Sequence, residues 1–301
     1  MALFDLPVEI LVDIIHLVLQ NESSPSNILR VCKGFHGIGQ PVLSLDLRFR
    51  SSTQLVLFSQ AQGRRLGLPP RSMTVDLTGR SADFRVFRYL RDALLRCRGE
   101  FDKHGPIAFN TFCLRLHSYA QDTSLQFLEE CLSFIDPRSF IWTGPDPEHH
   151  FSTAIVAPFS SRLFEAFGAW SNIRHIKVTN IAFSYFHASL RSPLLPDIPS
   201  LRTLYIGQAT FLAPQSITAI FFENIMTNLE SIRLVDAYGG SIWGPRIRRS
   251  DLENVAALIL SESGSVDDGA ILDRIRRIVF CEKKTERIMG GDRVEGGIFL
   301  L

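Results

Sequence analysis

Three stretches of the chain repeat one arrangement of apolar and polar positions. Ile173-Arg174-His175-Ile176-Lys177-Val178, Leu201-Arg202-Thr203-Leu204-Tyr205-Ile206 and Leu229-Glu230-Ser231-Ile232-Arg233-Leu234 are apolar at the first, fourth and sixth positions and lie 28 residues apart. Successive strand side chains point to opposite sides, so the last three positions of each copy suit a short strand with one buried face. Each copy follows a polar residue, Asn172, Ser200 or Asn228. Val255-x-x-Leu258-x-Leu260 and Ile275-x-x-Ile278-x-Phe280 extend the pattern at 26 and then 20 residues. Val75-Asp76-Leu77, Leu114-Arg115-Leu116 and Phe140-Ile141-Trp142 are looser copies upstream.

Helical periodicity fills the intervals. Asp83 to Cys97 sets Phe84, Phe87, Leu90 and Leu94 on one face and meets Gly99 as a terminator. Residues 124–135, 159–170 and 214–226 also read as helices, the last opening on Pro214. Strand and helix signals in alternation predict an α/β fold with parallel strands and helices outside them. The period resembles leucine-rich repeats, whose stacked units share one continuous core. The copies are degenerate: where such repeats place Asn or Cys, eight residues past the leading position, stand Ile181, Ala209 and Ala237. Turns without that amide predict an irregular curvature. A non-repetitive α/β domain is the alternative.

The chain opens on a different pattern. Pro7 suits the first position of a helix, and Glu9 complements the positive end of the helix dipole. Ile10, Ile14, Leu17 and Val18 follow as one apolar stripe, which Leu11 and Ile15 widen. That is more apolar surface than a short helical unit can bury, and such an excess points to a partner. With Leu6-Pro7-x-Glu9-Ile10-Leu11, a polar break, Leu29-x-Val31-Cys32-Lys33-Gly34-Phe35 and Pro41-Val42-Leu43, residues 6–47 resemble an F-box. Leu45-Asp46-Leu47-Arg48-Phe49 continues much as in F-box proteins of fungi. The segment Asn21 to Ser26 departs from the family by lacking its acidic helix start.

That resemblance implies docking on a Skp-type adaptor and, through it, on a cullin. The implied contact residues are Leu6, Pro7, Ile10, Leu11, Ile14, Leu29, Val31, Cys32 and Phe35. The expected organisation is an N-terminal helical F-box (1–47), an irregular leucine-rich-repeat-like α/β solenoid with a parallel sheet (48–280), and a C-terminal tail (281–301) ordered only in part. The expected role is that of substrate receptor in an SCF-type (cullin–RING) ubiquitin ligase. A solenoid scaffold acting outside a ligase is the alternative.

Composition narrows the partners. Thirty-two basic against 31 acidic residues leave no global field to draw nucleic acid or membrane. Five cysteines without a CxxC pair read as reduced core thiols, and Met1 to Asp5 has no basic leader, so a cytoplasmic or nuclear protein is expected. Catalytic chemistry finds no foothold. Asp146 and Glu148-His149-His150 sit in a Pro-rich loop where adjacent histidines diverge, Gly290-Gly291-Asp292 lacks the phosphate-loop frame, and no cysteine has an activating base at readable spacing. No catalytic residue, cofactor or metal is expected.

The polar positions of the repeats say more. Arg174, His175, Lys177, Arg202, Thr203, Tyr205, Ser231 and Arg233 should share the open face of the sheet, with Arg276 and Arg277 on a last strand and Glu230 as the single opposing charge. Arg174, Lys177, Arg202 and Arg233, with Tyr205 as apolar anchor, are therefore the candidate contacts for an acidic or phosphorylated protein target. The Tyr238–Pro245 loop is the other candidate.

Overall fold

A computed structural model of the chain describes residues 6–21, 25–61, 66, 68–80, 83–101, 105–119, 126–145, 153–184, 192–222, 226–263, 268–288 and 291–300. Its centre is a sheet in which every strand lies beside its neighbour in sequence. β1 (Asp46–Phe49), β2 (Ser72–Asp76), β3 (Thr111–Arg115), β4 (Ser139–Thr143), β5 (His175–Thr179), β6 (Thr203–Gly207), β7 (Ser231–Val235) and β8 (Val279–Ile288) are all parallel. β9 (Gly291–Phe299) closes the edge antiparallel to β8.

Parallel neighbours need a crossover between them. Here α4 (Ser52–Gln60), α5 (Val86–Phe101), α6 (Gln126–Ser133) and α7 (Ala157–Phe167) return the chain from β1 to β5. α8 (Pro214–Ala219) follows β6, and α9 (Arg249–Ser263) and α10 (Asp268–Ile278) follow β7.

Register turns the repeat into rows. Leu47, Met73, Phe112, Phe140, Ile176, Leu204, Ile232 and Val279 stand side by side, all buried. Phe49, Val75, Leu114, Trp142, Val178, Ile206, Leu234 and Cys281 form the second buried row. Helix residues such as Phe87, Leu90, Leu94, Leu163 and Phe167 complete the core. Aromatic rings fill its middle: Phe140 lies 6.2 Å from Phe112, 5.3 Å from Phe167 and 5.2 Å from Trp170, centroid to centroid. The Trp142 and Trp170 indoles donate to the carbonyls of Leu116 and Leu132, so neither buried N–H is left unsatisfied.

Each of β5, β6 and β7 is followed by a residue in the left-handed region: Asn180 (φ 55°), Gln208 (φ 43°) and Asp236 (φ 50°). The kink lets pairing resume one step later. Asn180 N–H donates to Gly207 O, Gln208 N–H to Val235 O and Asp236 N–H to Glu282 O, and Thr210 N–H then reaches Ile181 O. A polar residue thus sits one position before Ile181, Ala209 and Ala237: Asn180 accepts from Thr179 Oγ1 and Asp236 from Arg246 and Thr285, whereas the Gln208 amide is buried without a hydrogen-bond partner. At the expected position the tying amide is absent, and backbone pairing across the strands satisfies these turns.

The N-terminal unit consists of α1 (Val8–Asn21), α2 (Pro25–Leu29) and α3 (Lys33–Leu45), which brings the helices among the described residues to ten. Ile15, Leu19 and Val42 form a small core of their own, joined by Val12, Ile28, Leu29, Phe35, Ile38 and Leu43. Gly39 makes the fit possible, since a Cβ there would come within 2.5 Å of Leu29 Cδ2. Cys32 caps α3, its sulfur accepting from Phe35 N–H at 3.4 Å. α3 passes directly into β1.

Four expectations are corrected. Val255 to Leu260 and Ile275 to Ile278 are not strands but lie in α9 and α10. Leu252, Ala256 and Ile259 are buried at i, i+4 and i+7 while Leu258 is exposed, so helical periodicity wins over the shorter motif. Residues 281–288 and 291–299 form strands and not a loose tail. Cys281 and Thr285 are buried and the backbone pairs with β7 and then with itself, extending the sheet. α5 runs past Gly99 to Phe101, and α8 stops at Ala219 rather than near Met226. Among the described residues no helix is long and apolar enough to cross a membrane.

Candidate functional site

Two surfaces gather the residues the sequence singled out. On the N-terminal unit the expected apolar stripe divides. Leu11, Ile15 and Leu19 turn inward, whereas Ile10 (46% exposed), Leu17 (60%) and Val18 (39%) face outward. Val8 and Val31 are also exposed, at 57% and 64%. Of the expected adaptor contacts, Pro7, Ile10 and Val31 are therefore surface residues, and Leu6 and Ile14 are half-buried. Leu11 is buried, Leu29 and Phe35 pack on the small core, and Cys32 caps a helix. His16 Nε2 sits 2.9 Å from Asp46 Oδ2, and Ser72 donates to Asp46 Oδ1, tying α1 to the first two strands.

The second surface is the sheet face away from the core. Its middle row reads Arg48, Thr74, Cys113, Ile141, Lys177, Tyr205, Arg233 and Phe280. Tyr205 lies between two cations: Lys177 Nζ is 5.0 Å and the Arg233 guanidinium 5.7 Å from the ring centroid. Gly207 leaves room for that ring, because a Cβ there would stand 3.0 Å from Tyr205 Cε1 and 3.1 Å from Thr179 Cγ2.

This face is less basic than the sequence suggested. Arg233 donates twice to Glu282, at 2.8 Å each, and that pairing pushes its own proton affinity up. Arg202 meets Glu230 at 3.0 Å, and Arg115 meets Asp76 at 3.5 Å. Three acids oppose the face where one was expected. Arg276 and Arg277 leave it altogether, being exposed on α10, and Arg276 pairs with Glu253 and Asp273. Arg174 and Lys177 keep no acidic partner among the described residues.

The sequence reading missed Arg138, which directly precedes β4. Its signal was present in Pro137-Arg138-Ser139-Phe140, but that copy stands 36 residues before Ile173 and so breaks the period. His175 lies among these cations. Burial, and then the charges of Arg138, Arg202 and Arg174 against the opposing pull of Glu230, hold its pKa below the ordinary imidazole value.

Three cysteines are held as thiols. Burial pushes the Cys281 thiol up to about 12 and the Cys131 thiol well above its usual range, and burial with Asp76 raises Cys113, so none of the three is poised as a thiolate. Among the described residues no three His, Cys, Asp or Glu side chains converge on a metal position. Asp146, Glu148, His149 and His150 lie outside the described residues. On the Tyr238–Pro245 loop Trp243 is 74% exposed.

Comparison with models of known protein families, with curated proteins and with solved structures finds no match to the chain.

Proposed function

We propose that this protein is the target-holding subunit of an SCF-type ubiquitin ligase. Residues 6–47 act as an F-box that docks on a Skp-type adaptor and thereby on a cullin. The sheet and its returning helices act as an irregular leucine-rich-repeat-like solenoid that holds a protein target on its open face, with Tyr205, Lys177 and Arg174 as central contacts. The subunit makes and breaks no bonds. Its contribution is to raise the effective concentration of a target lysine near the conjugating enzyme.

The observation that carries this reading is the outward exposure of Ile10, Leu17, Val18 and Val31 on a helical unit that already has its own core. Surplus apolar surface of this kind marks a protein contact, and it includes Ile10 and Val31, two of the residues that resemble an F-box.

The test is capture of a Skp-type adaptor by the full chain. Burying an Ile or Val is worth roughly 1.5–3 kcal/mol, so Ile10→Glu with Val31→Glu should reduce adaptor capture at least tenfold. Both positions are exposed, so the fold should be retained. Undiminished capture by the double variant removes the docking assignment. Absence of capture by the unaltered chain returns the alternative, a scaffold acting outside a ligase.

A further inference from the structure

The residues just ahead of the strands form a row of their own. Arg138, Arg174, Arg202 and Glu230 directly precede β4, β5, β6 and β7, and the backbone joins them: Arg174 N–H donates to Arg138 O, Arg202 N–H to Arg174 O and Glu230 N–H to Arg202 O. Neighbouring strands stand about 4.8 Å apart, so the backbone positions of three arginines follow one another at about that interval along the rim of the sheet.

Several other arginines are matched from within the chain, whereas Arg71, Arg88 and Arg277, like Lys177, have no carboxylate partner among the described residues. Arg115 has Asp76, Arg162 has Glu129, Arg233 has Glu282 and Arg246 has Asp236. On the rim only Arg202 is matched, by Glu230 at 3.0 Å. Arg138 is exposed and Arg174 half-buried, and neither has a carboxylate partner among the described residues. Asp136, two residues before Arg138, is buried and taken up by Ser171 and Asn172.

We propose that this rim is a carboxylate-binding edge, and that its occupant is an Asp/Glu-rich segment of a protein partner which sets acids beside Arg138 and Arg174 as Glu230 is set beside Arg202. The inference rests on the receptor reading only for the sheet being the target-holding element. The chain itself supplies the precedent, a carboxylate one strand along from the arginine it pairs with. The row after the rim, Ser139, His175, Thr203 and Ser231, offers hydroxyls and one imidazole and no ring on which nucleotide bases stack in succession, which favours peptide over single-stranded nucleic acid. His175 is the built-in reporter. Its Nδ1 is 2.9 Å from Thr203 Oγ1; burial first, and then Arg138, Arg202 and Arg174 against Glu230, lower its affinity for a proton, so an arriving carboxylate that opposes the arginines raises it.

The experiment uses the full chain and a fluorescein-labelled deca-glutamate peptide, read by anisotropy. A deca-glutamine peptide and a ten-nucleotide single-stranded RNA serve as controls. Expected are at least tenfold tighter binding of the glutamate peptide than of the glutamine one, weakening as salt rises, and an upward shift of the His175 titration midpoint by NMR when the peptide is bound. Arg138→Gln with Arg174→Gln should lose tenfold or more, the corresponding lysine pair should keep part of the binding, and Arg162→Gln should change nothing. Equal binding of the glutamine peptide, tighter binding of RNA, unaltered affinity in the double variant, or a His175 midpoint that ignores the peptide would each overturn the assignment. Adaptor capture by Arg138→Gln/Arg174→Gln should stay intact. Its loss in the unaltered chain is a failure of the ligase reading alone, whatever the peptide does.

Discussion

Asp236 is the most demanding single residue in the molecule. Its side chain is fully buried, in a backbone conformation that L-residues rarely adopt, and it accepts from Arg246 Nε at 2.8 Å and from Thr285 N–H and Oγ1 at 2.9 Å each. Arg246 in turn donates to Thr285 O. The carboxylate therefore pins β8 to the turn after β7. Removing one partner of a buried ion pair leaves the other uncompensated, so Asp236→Ala should cost about 3–5 kcal/mol. Urea unfolding measures this, and a loss below about 1 kcal/mol would contradict the clamp. In the sequence Asn180, Gln208 and Asp236 recur at 28 residues, in phase with the strands, yet they are legible as turn residues only once the register is known. An offset of seven rather than eight hid them. The paired acids were hidden for another reason: Glu282 comes 49 residues after Arg233, and only the β7–β8 register brings the two together.

At the scale of elements, legibility followed periodicity. β5, β6 and β7 announced themselves because three apolar positions repeated at one spacing and no helical stripe competed. α9 and α10 satisfied the same motif by coincidence, since a first, fourth and sixth apolar position also fits within a helix face broadened by Ala256 and Ile259. β8 and β9 went unread because a glycine-rich, charged sequence carries little alternation, and their strand state depends on β7 as a template. In the N-terminal unit, α1 was legible as a helix but its inward face was misread, because both of its faces are apolar. What fixes the face is the close approach of α3 at Gly39. Gly39→Val would drive a branched side chain toward Leu29 Cδ2 (2.5 Å from the Cβ position) and Ile15 Cγ2 (3.4 Å). Because that small core is separate from the main one, the variant should melt the N-terminal unit first and leave the sheet's transition unchanged. A single merged transition shifted as a whole would refute this independence.

At the scale of the molecule, Asp46 ties the N-terminal unit to the first strands of the sheet. Asp46 begins β1, ends the α3 connection and bonds both His16 of α1 and Ser72 of β2. Burial, the largest single influence on its carboxyl, pushes the pKa up. The hydrogen bonds from Ser72 and His16 and the charges of His16 and Arg48 outweigh it, and the net pKa is lowered. A carboxyl lowered in the folded state contributes stability that is complete above its unfolded value, near 3.9, and disappears as pH falls through the lower folded value. Asp46→Asn should therefore flatten the acid limb of the stability profile between about pH 5 and pH 3, while its deficit at neutral pH stays constant. Denaturation at half-unit steps of pH checks this, and an unchanged slope below pH 5 would remove Asp46 from that role.

α3 enters β1 without an intervening residue, and that junction has a consequence for selection. A tether that swings samples every lysine within its radius, whereas a stiff bracket brings only one patch of a held protein to the transfer centre. In the proposed ligase the choice of modified lysine would then be a matter of where it lies on the captured surface, indifferent to the amino acids around it. Each added residue of helix turns the sheet by about 100° about the helix axis. Lengthening α3 by one residue would accordingly redirect modification to a different lysine of the same target, with capture itself unimpaired.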